Sequence, residues 1–170
     1  MIIDLINLKH TPHKFDSTIS AEEIDLKGEA AELKSAAKVR GELNKSSVEA
    51  LLSGEISVSA ELECTRCLQK VERDLQFPFA AAFVTEENYT RSKEAELGAD
   101  DLDVAVFEGD KIDLTELVRE QILLNLPEQV FCKDDCQGLC EICGANRNTT
   151  SCNCQKKEID PRWSALKNLK

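Results

Sequence analysis

The sequence predicts an α+β fold, in which an antiparallel β-sheet with a long hairpin carries one main helix and a cysteine-rich segment follows. Apolar and polar residues alternate over two long runs, a third segment has helical spacing, and six of the eight cysteines lie between residues 132 and 154. Alternation with period two is typical of half-buried strands, whereas a spacing of three and four is typical of amphipathic helices. Strands this long can also curl, so a barrel-like sheet is one expected form of the fold.

The N-terminal part contains short elements. Residues 2–8 predict a strand, and the sequence around Pro12 is typical of a loop. Ser20 followed by Glu23 has the spacing of a capping box, which predicts a short turn of helix. From about residue 30 the period becomes two, which predicts a single half-buried strand. Its inward residues are Ala31, Leu33, Ala37, Val39 and Leu43.

Two longer alternating runs predict an antiparallel hairpin. The even positions are apolar in residues 56–64, and the odd positions are apolar in residues 71–83 with the exception of Arg73. Because Cys64-Thr-Arg-Cys67 lies between the two runs, it is expected at the tip of the hairpin. Pro78 has no N–H to donate to a neighbouring strand, so the second strand is expected at a sheet edge or with a bulge there.

The main helix is expected to begin after Asp113, whose side chain is a good N-cap, and to end before Pro127. Its apolar stripe consists of Leu114, Leu117, Val118 and Ile122. The polar residues 85–100 before it predict a loop, and residues 104–107 predict a short strand.

The cysteines are the most informative residues chemically. They are Cys64, Cys67, Cys132, Cys136, Cys140, Cys143, Cys152 and Cys154. A turn with two cysteines three positions apart can place both sulfurs on one metal ion, and Zn²⁺ favours four such ligands in a tetrahedron. Eight ligands therefore predict two zinc ions. A zinc ion held by four thiolates has no open position for water, so both sites are expected to be structural.

The spacing leaves the partition of these ligands open. The favoured grouping joins Cys64 and Cys67 at the hairpin tip with Cys132 and Cys136 after the helix. The last four cysteines then form a local knuckle, in which Gly144 permits the tight turn. The alternative grouping places the two turns at residues 64–67 and 140–143 on one ion.

Other chemistry for the cysteines has to be weighed against zinc. Four thiolates can also hold an iron–sulfur cluster. A dithiol redox role for Cys64 and Cys67 is less favoured, because the thioredoxin-type motif opens a helix rather than a hairpin turn. His10 and His13 are interpreted as loop residues, since eight cysteines already fill two sites.

The chain is expected to have two parts. Residues 1–130 form the α+β body with a zinc-knuckle hairpin tip. Residues 131–170 form a zinc-ribbon-like, cysteine-rich segment followed by a short C-terminal helix. That helix is predicted because Asp160 precedes Pro161 at its start. Its apolar residues Trp163, Leu166 and Leu169 recur at a spacing of three.

The charge of the chain is strongly uneven. The net charge is −11, with −9 in residues 85–128 and +4 in residues 144–170. An acidic surface favours a basic protein partner, whereas the basic tail suits phosphate. Ordinary solvated surface is the alternative interpretation of both.

Several function classes are not expected. The sequence contains no phosphate-binding glycine pattern and no pairing of a base with a nucleophile, so neither an enzyme nor a small-molecule substrate is expected. It has no signal peptide and no run of about 20 apolar residues, so a cytoplasmic protein without a membrane partner is expected. Thiols stay reduced in that compartment, which favours metal binding over disulfides.

The chain resembles the YceD family, also called the large ribosomal RNA subunit accumulation protein family. The resemblance runs from about residue 30 to residue 170. It is carried by Leu62-Glu-Cys64-Thr-Arg-Cys67, Leu124-Asn-Leu-Pro127, the cysteine-rich stretch at 132–144, Cys152-Asn-Cys154 and Asp160-Pro-Arg-Trp. Family members that lack the four later cysteines keep the hairpin pair and a partner near Cys136. The resemblance therefore favours the first grouping of ligands.

The resemblance implies a non-enzymatic ribosome-assembly factor that supports the synthesis, processing or stability of large-subunit (23S) ribosomal RNA. It would bind precursor ribosomal RNA, a basic large-subunit ribosomal protein, or both. The candidate RNA-binding residues are Arg66, Arg147, Lys156, Lys157, Arg162, Lys167 and Lys170. A zinc-dependent regulator or redox sensor is the alternative, and an interaction domain unrelated to ribosomes is a third interpretation.

Overall fold

The computed structural model describes residues 2–5, 8, 12–26, 31–46, 49–85, 104–107 and 111–154. The strands are β1 (Ile2–Asp4), β2 (His13–Ile19), β3 (Ala31–Leu33), β4 (Ala37–Lys45), β5 (Glu49–Glu63), β6 (Lys70–Thr85), β7 (Val104–Phe107) and β8 (Lys111–Asp113). One helix, α1 (Leu114–Leu124), directly follows β8. Within the described residues, no helical segment has both the length and the hydropathy of a membrane span.

The strands form two open sheets. The larger sheet has the order β2-β4-β5-β6-β7, and β3 pairs with β5 beside this path. The smaller sheet consists of β1 and β8. The α+β class is correct in broad terms, but the barrel-like form is wrong, because β2 and β7 lie at opposite ends of the sheet in the described part of the chain. The sheet is also mixed, since β6 and β7 are parallel.

The predicted hairpin of β5 and β6 is confirmed and is the longest feature of the fold. Its register runs without a break from Glu49 opposite Val84 to Glu63 opposite Lys70. Pro78 lies opposite Glu55 in this register, and no bulge occurs there. Among the described residues, β7 pairs with β6 only from Ala82 onward, so Pro78 lies where one edge of β6 is unpaired.

The single strand expected from residue 30 is in fact two strands. β3 and β4 both pair with β5. In an antiparallel pair, the numbers of two opposite residues add to a constant, which is 93 for β3 with β5 and 95 for β4 with β5. The register therefore shifts by two residues between β3 and β4. A shift by an even number keeps side chains on the same face of a sheet. The alternating pattern therefore continues across the interruption and conceals it.

Two other N-terminal expectations need correction. β2 begins at His13 and pairs with β4 over seven residues, where the sequence predicted only a loop nearby. Residues 20–23 form one turn rather than a helix. The capping pair is nevertheless present, because Ser20 donates to Glu23 Oε2 from its backbone N (3.1 Å) and from its Oγ (3.0 Å).

Two glycines face each other in the ladder of β4 and β5. Gly41 pairs with Gly54. A Cβ atom on Gly41 would collide with the backbone oxygen of Ser53, and one on Gly54 would collide with the backbone oxygen of Arg40. The Phe15 ring lies against Gly41. Only glycine fits at either position.

The helix follows its sequence signals. Asp113 Oδ1 accepts a hydrogen bond from Thr115 N (2.9 Å), as expected of an N-cap. The four predicted stripe residues, from Leu114 to Ile122, are buried. Asn125 closes the last turn by donating from Nδ2 to Gln121 O (2.8 Å). Of the loop predicted at residues 85–100, Thr85 is the last residue of β6 and the rest lies outside the described residues. The predicted C-terminal helix also lies outside them, and the division at residue 130 stays a prediction.

The core changes character along the hairpin. Its main cluster packs the inward side chains of the sheets against α1. Towards the tip, a smaller cluster contains Ala60, Leu62 and Val130. At the tip itself, the buried groups are the thiols of Cys64, Cys67 and Cys136. The hairpin therefore connects an aliphatic core to a cysteine cluster.

Candidate metal centres

The hairpin tip places its two cysteines by backbone geometry. Cys64 continues the buried even face of β5 by one residue. The turn is closed by hydrogen bonds from Leu68 N to Cys64 O (2.8 Å) and from Cys64 N to Gln69 O (2.9 Å). Both Cys64 and Cys67 are buried in the folded chain.

The segment after the helix is attached to this tip by several hydrogen bonds. Thr65 donates to Val130 O from its backbone N (2.8 Å) and from its Oγ1 (3.1 Å). Arg73 Nη2 donates to Phe131 O (2.8 Å), and Leu139 N donates to Arg66 O (3.0 Å). These contacts bring residues 132–136 against the hairpin.

The first cysteine cluster joins the tip to that segment. The sulfurs of Cys64, Cys67, Cys132 and Cys136 lie within 4.8 Å of one another. The distance from Cys67 Sγ to Cys132 Sγ is 3.6 Å, and that from Cys64 Sγ to Cys136 Sγ is 3.8 Å. Four thiolates at tetrahedral zinc distances have sulfur separations of about 3.8 Å. All eight cysteines are free thiols, so this cluster could hold a metal ion.

The second cluster is local. Cys140, Cys143, Cys152 and Cys154 also have their sulfurs within 4.8 Å of one another. Gly144 adopts φ +72°, and its N donates to Cys140 O (2.8 Å). The structure thus groups the cysteines as the favoured partition does, and the two Cys-x2-Cys turns belong to different clusters.

Backbone amides stabilise the Cys64 thiolate in the first cluster. Burial favours the neutral thiol of Cys64, but amides of the tip, including that of Arg66, donate to its sulfur and lower its pKa to about 6. Burial raises the pKa of Cys132 to about 12, and the neighbouring Cys136 acts in the same direction. Four adjacent thiolates repel one another, and a divalent cation would remove that repulsion.

In the second cluster, too, one cysteine has a lowered pKa and another has a raised pKa. The amides of Cys143 and Ile142 donate to Cys140 Sγ and lower the pKa of Cys140 to about 6. The contact with Cys143 raises the pKa of Cys154 to about 12, and burial adds to this effect. In both clusters the first cysteine of the Cys-x2-Cys turn is therefore stabilised as a thiolate. The donor sets suit a thiophilic cation.

The two turns differ at the residue after the second cysteine. In the turn at 140–143 this residue is Gly144, and in the turn at 64–67 it is Leu68, which adopts φ 59°. Leu68 N makes the same hydrogen bond to Cys64 O, at the same distance of 2.8 Å. A leucine in this left-handed conformation is strained by about 1–3 kcal/mol. It is the one non-glycine residue with positive φ in the described part of the chain.

Two residues near the clusters were not found from the sequence. Asn148 Nδ2 donates to Cys136 Sγ (3.4 Å), and this contact lowers the pKa of Cys136 although burial opposes the shift. Gly138 adopts φ +70°, and a Cβ there would lie 3.1 Å from Arg66 O. The signal for Gly138 was available, because a glycine between two cysteines often marks a turn against another backbone. No sequence signal distinguishes Asn148 from its polar neighbours.

The two candidate RNA-binding arginines in the described residues both have intramolecular partners. Arg66 Nη1 donates to Cys136 O (3.2 Å), and its guanidinium lies 4.3 Å from the centroid of the Phe131 ring. The Arg147 side chain contacts the Cys140 thiolate, which raises the pKa of Arg147. The other five candidates, Lys156, Lys157, Arg162, Lys167 and Lys170, lie outside the described residues.

Part of the acidic region at residues 85–128 lines a cleft beside α1. The cleft has a volume of about 520 Å³ and lies between the helix and the β6–β7 edge of the sheet. Its sheet side is lined by small apolar residues such as Ala80 and Ala82, and the side formed by β8 and α1 carries Lys111 together with Asp113, Glu116 and Glu120. Of these, Glu116 pairs with Arg119 (3.2 Å).

Comparison with known sequences gives the family. A family described as "Large ribosomal RNA subunit accumulation protein YceD" matches residues 52–170, which is more than half of the chain. This chain belongs to the YceD family. The match begins within β5 and includes the rest of the hairpin, the helix and all eight cysteines of the two clusters.

Relatives of the chain cover it to different extents. An uncharacterized protein, YlbN of Bacillus subtilis, is 28% identical over 99% of this chain and 94% of its own length. The uncharacterized protein Mb2951c of Mycobacterium bovis is 30% identical over 68% of the chain, which spans about half (53%) of that relative.

A plant relative carries the family's name. The "Large ribosomal RNA subunit accumulation protein YCED homolog 1, chloroplastic" of Arabidopsis thaliana is 33% identical over 35% of the chain and 19% of its own length. No solved structure matches the chain significantly.

Proposed function

We propose that this protein is a non-enzymatic factor that supports the accumulation of large-subunit ribosomal RNA by binding a component of the assembling subunit. Membership of the YceD family is the observation that carries this proposal. Depletion of the protein should lower the ratio of large-subunit to small-subunit ribosomal RNA, and the intact gene should restore that ratio. An unchanged ratio in depleted cells would refute the proposal.

Within this proposal, the two cysteine clusters each hold a structural zinc ion. The sulfur separations of 3.6 and 3.8 Å in the first cluster support a four-coordinate metal. The closed set of four ligands in each cluster supports a structural role rather than a catalytic one. Elemental analysis of protein purified without added metal should give two zinc ions per chain. Iron with acid-labile sulfide would instead indicate a cluster of another kind.

The charges of the described residues favour a basic protein as the direct partner. In the lining of the cleft beside α1, the carboxylates of Asp113, Glu116 and Glu120 outnumber the one cation, Lys111. Elsewhere in the described residues, the candidate arginines Arg66 and Arg147 are held by contacts within the chain. A cationic ribosomal protein would be attracted to this acidic side. The RNA alternative depends on the basic residues 156–170. Replacing Lys156 and Lys157 should flatten the salt dependence of binding if RNA is the partner, and leave it unchanged if protein is.

Redox sensing is the second candidate function, and one observation supports it. Cys143 is exposed, so at least one thiol of the second cluster is accessible to oxidants. Mild peroxide should release metal and form reversible disulfides if the protein is a sensor. Metal that stays bound under the same treatment would support the structural role.

A further inference from the structure

We propose that the hairpin tip binds a protein partner through the apolar side chain of Leu68, which enters a pocket on that partner. The partner's pocket has an apolar floor and a cationic rim. This role of Leu68 rests on the proposed function, because the partner is taken to be a component of the assembling large subunit. It also assigns to the tip a partner class that the family relationship leaves open.

The backbone gives no reason for a leucine at position 68. The turns at 64–68 and 140–144 are closed by equivalent hydrogen bonds of 2.8 Å, and the last residue of each has a positive φ. Gly144 adopts this conformation without strain, whereas Leu68 does not. A glycine at position 68 would make the same turn more easily.

The hydrophobic core gives no reason either. Leu68 is 58% exposed and belongs to none of the hydrophobic clusters in the described residues. Val71 and Leu139 cover the thiols of the tip instead. A residue that breaks a local rule without a compensating contact in the fold is expected at a functional site. An exposed apolar side chain on a turn suits a contact that buries it in a partner.

The charges around the tip favour protein over RNA. Residues 61–73 contain three acidic and three basic side chains, so they have no excess of cations. The basic groups are also occupied. Arg66 donates to Cys136 O, Arg73 donates to Phe131 O, and Lys70 pairs with Glu61 and Glu32. Four thiolates outweigh one divalent cation, so a metal-loaded tip is negative. Such a surface repels phosphate and attracts a cationic rim.

The test compares the full-length wild type with Leu68→Gly, Leu68→Asn and the matched control Gly144→Leu. Asparagine tolerates positive φ, so both variants at position 68 should keep the wild-type metal content and a melting temperature no lower than that of wild type. Their co-sedimentation with precursors of the large subunit should fall by about tenfold or more. Gly144→Leu should lower the melting temperature slightly and leave co-sedimentation unchanged.

The partner class is tested with a photo-crosslinking amino acid at position 68. The expected result is a crosslink to one basic large-subunit protein, reproduced with that protein in purified form. A crosslink to RNA, or none, would overturn the inference. Equal co-sedimentation of wild type and Leu68→Asn would overturn it while leaving the proposed function intact. Failure of the wild type to co-sediment would count against both.

Discussion

The two cysteine clusters have the same number of ligands but different places in the chain. The first joins residues 64–67 of the hairpin tip to residues 132–136 after the helix, and its thiols are mostly buried. The second lies entirely within residues 140–154, and Cys143 is exposed. A metal in the first cluster closes a long loop and belongs to the tertiary structure, whereas a metal in the second orders only its own segment.

The largest expected effect is that of Cys64→Ser. Loss of this buried ligand should remove one metal ion and lower the free energy of unfolding by more than about 4 kcal/mol. Hydrogen exchange should accelerate both at the hairpin tip and in residues 130–139, because Thr65 and Val130 connect the two. Faster exchange at the tip alone would contradict the grouping of the first cluster.

Cys143→Ser is the matched variant in the second cluster. It should also remove one metal ion, but the faster exchange should be confined to residues 140–154. The melting temperature of the body should stay within about 2 °C of wild type. A global loss of stability equal to that of Cys64→Ser would show that the second cluster is also part of the tertiary structure.

A smaller difference is expected in metal release. A strong chelator should remove metal from the second cluster at least about tenfold faster than from the first, because a chelator can reach Cys143 but must wait for the tip to open before reaching Cys64. Stopped-flow release monitored with a metal-sensitive dye should show two phases. Only the fast phase should be lost in Cys143→Ser, and a single phase in the wild type would contradict the difference in accessibility.

The smallest effect is expected from Thr65→Val. It removes the Oγ1 bond to Val130 O and keeps the backbone bond, so the free energy of unfolding should fall by about 1 kcal/mol. Thr149→Val is the control in the second region, where the hydroxyl bonds the local Asn146 O (3.3 Å). Chemical denaturation should detect the first change and almost none of the second.

The sequence predicted features that depend on local spacing. The four buried residues of the α1 stripe, the Asp113 cap and the hairpin with its cysteine tip follow from periodicity and capping chemistry alone. The spacing alone left the grouping of the cysteines open, and the resemblance to the family favoured the grouping that the structure shows.

Features that depend on pairing between distant residues were missed. The strand β7 was predicted at residues 104–107, but its parallel pairing with β6 was not. That pairing, the strand β2 and the open edges of the sheet are determined by which strands meet, and periodicity does not report that. Likewise, Arg66 has the charge of an RNA-binding residue, but its partners Cys136 and Phe131 are about seventy positions away in the chain. The register shift between β3 and β4 was hidden because an even shift preserves the alternating pattern.

The facing glycines Gly41 and Gly54 offer a tool for genetics. Both lie in the β4–β5 ladder, away from the hairpin tip where the cysteines begin. Gly41→Ala would force these strands apart without altering a thiol or Leu68, and so would yield a conditional allele that fails when the temperature rises. The phenotype of such an allele would report loss of the folded body. Comparison with a cysteine allele would then separate, inside the cell, what the fold contributes from what the metal contributes.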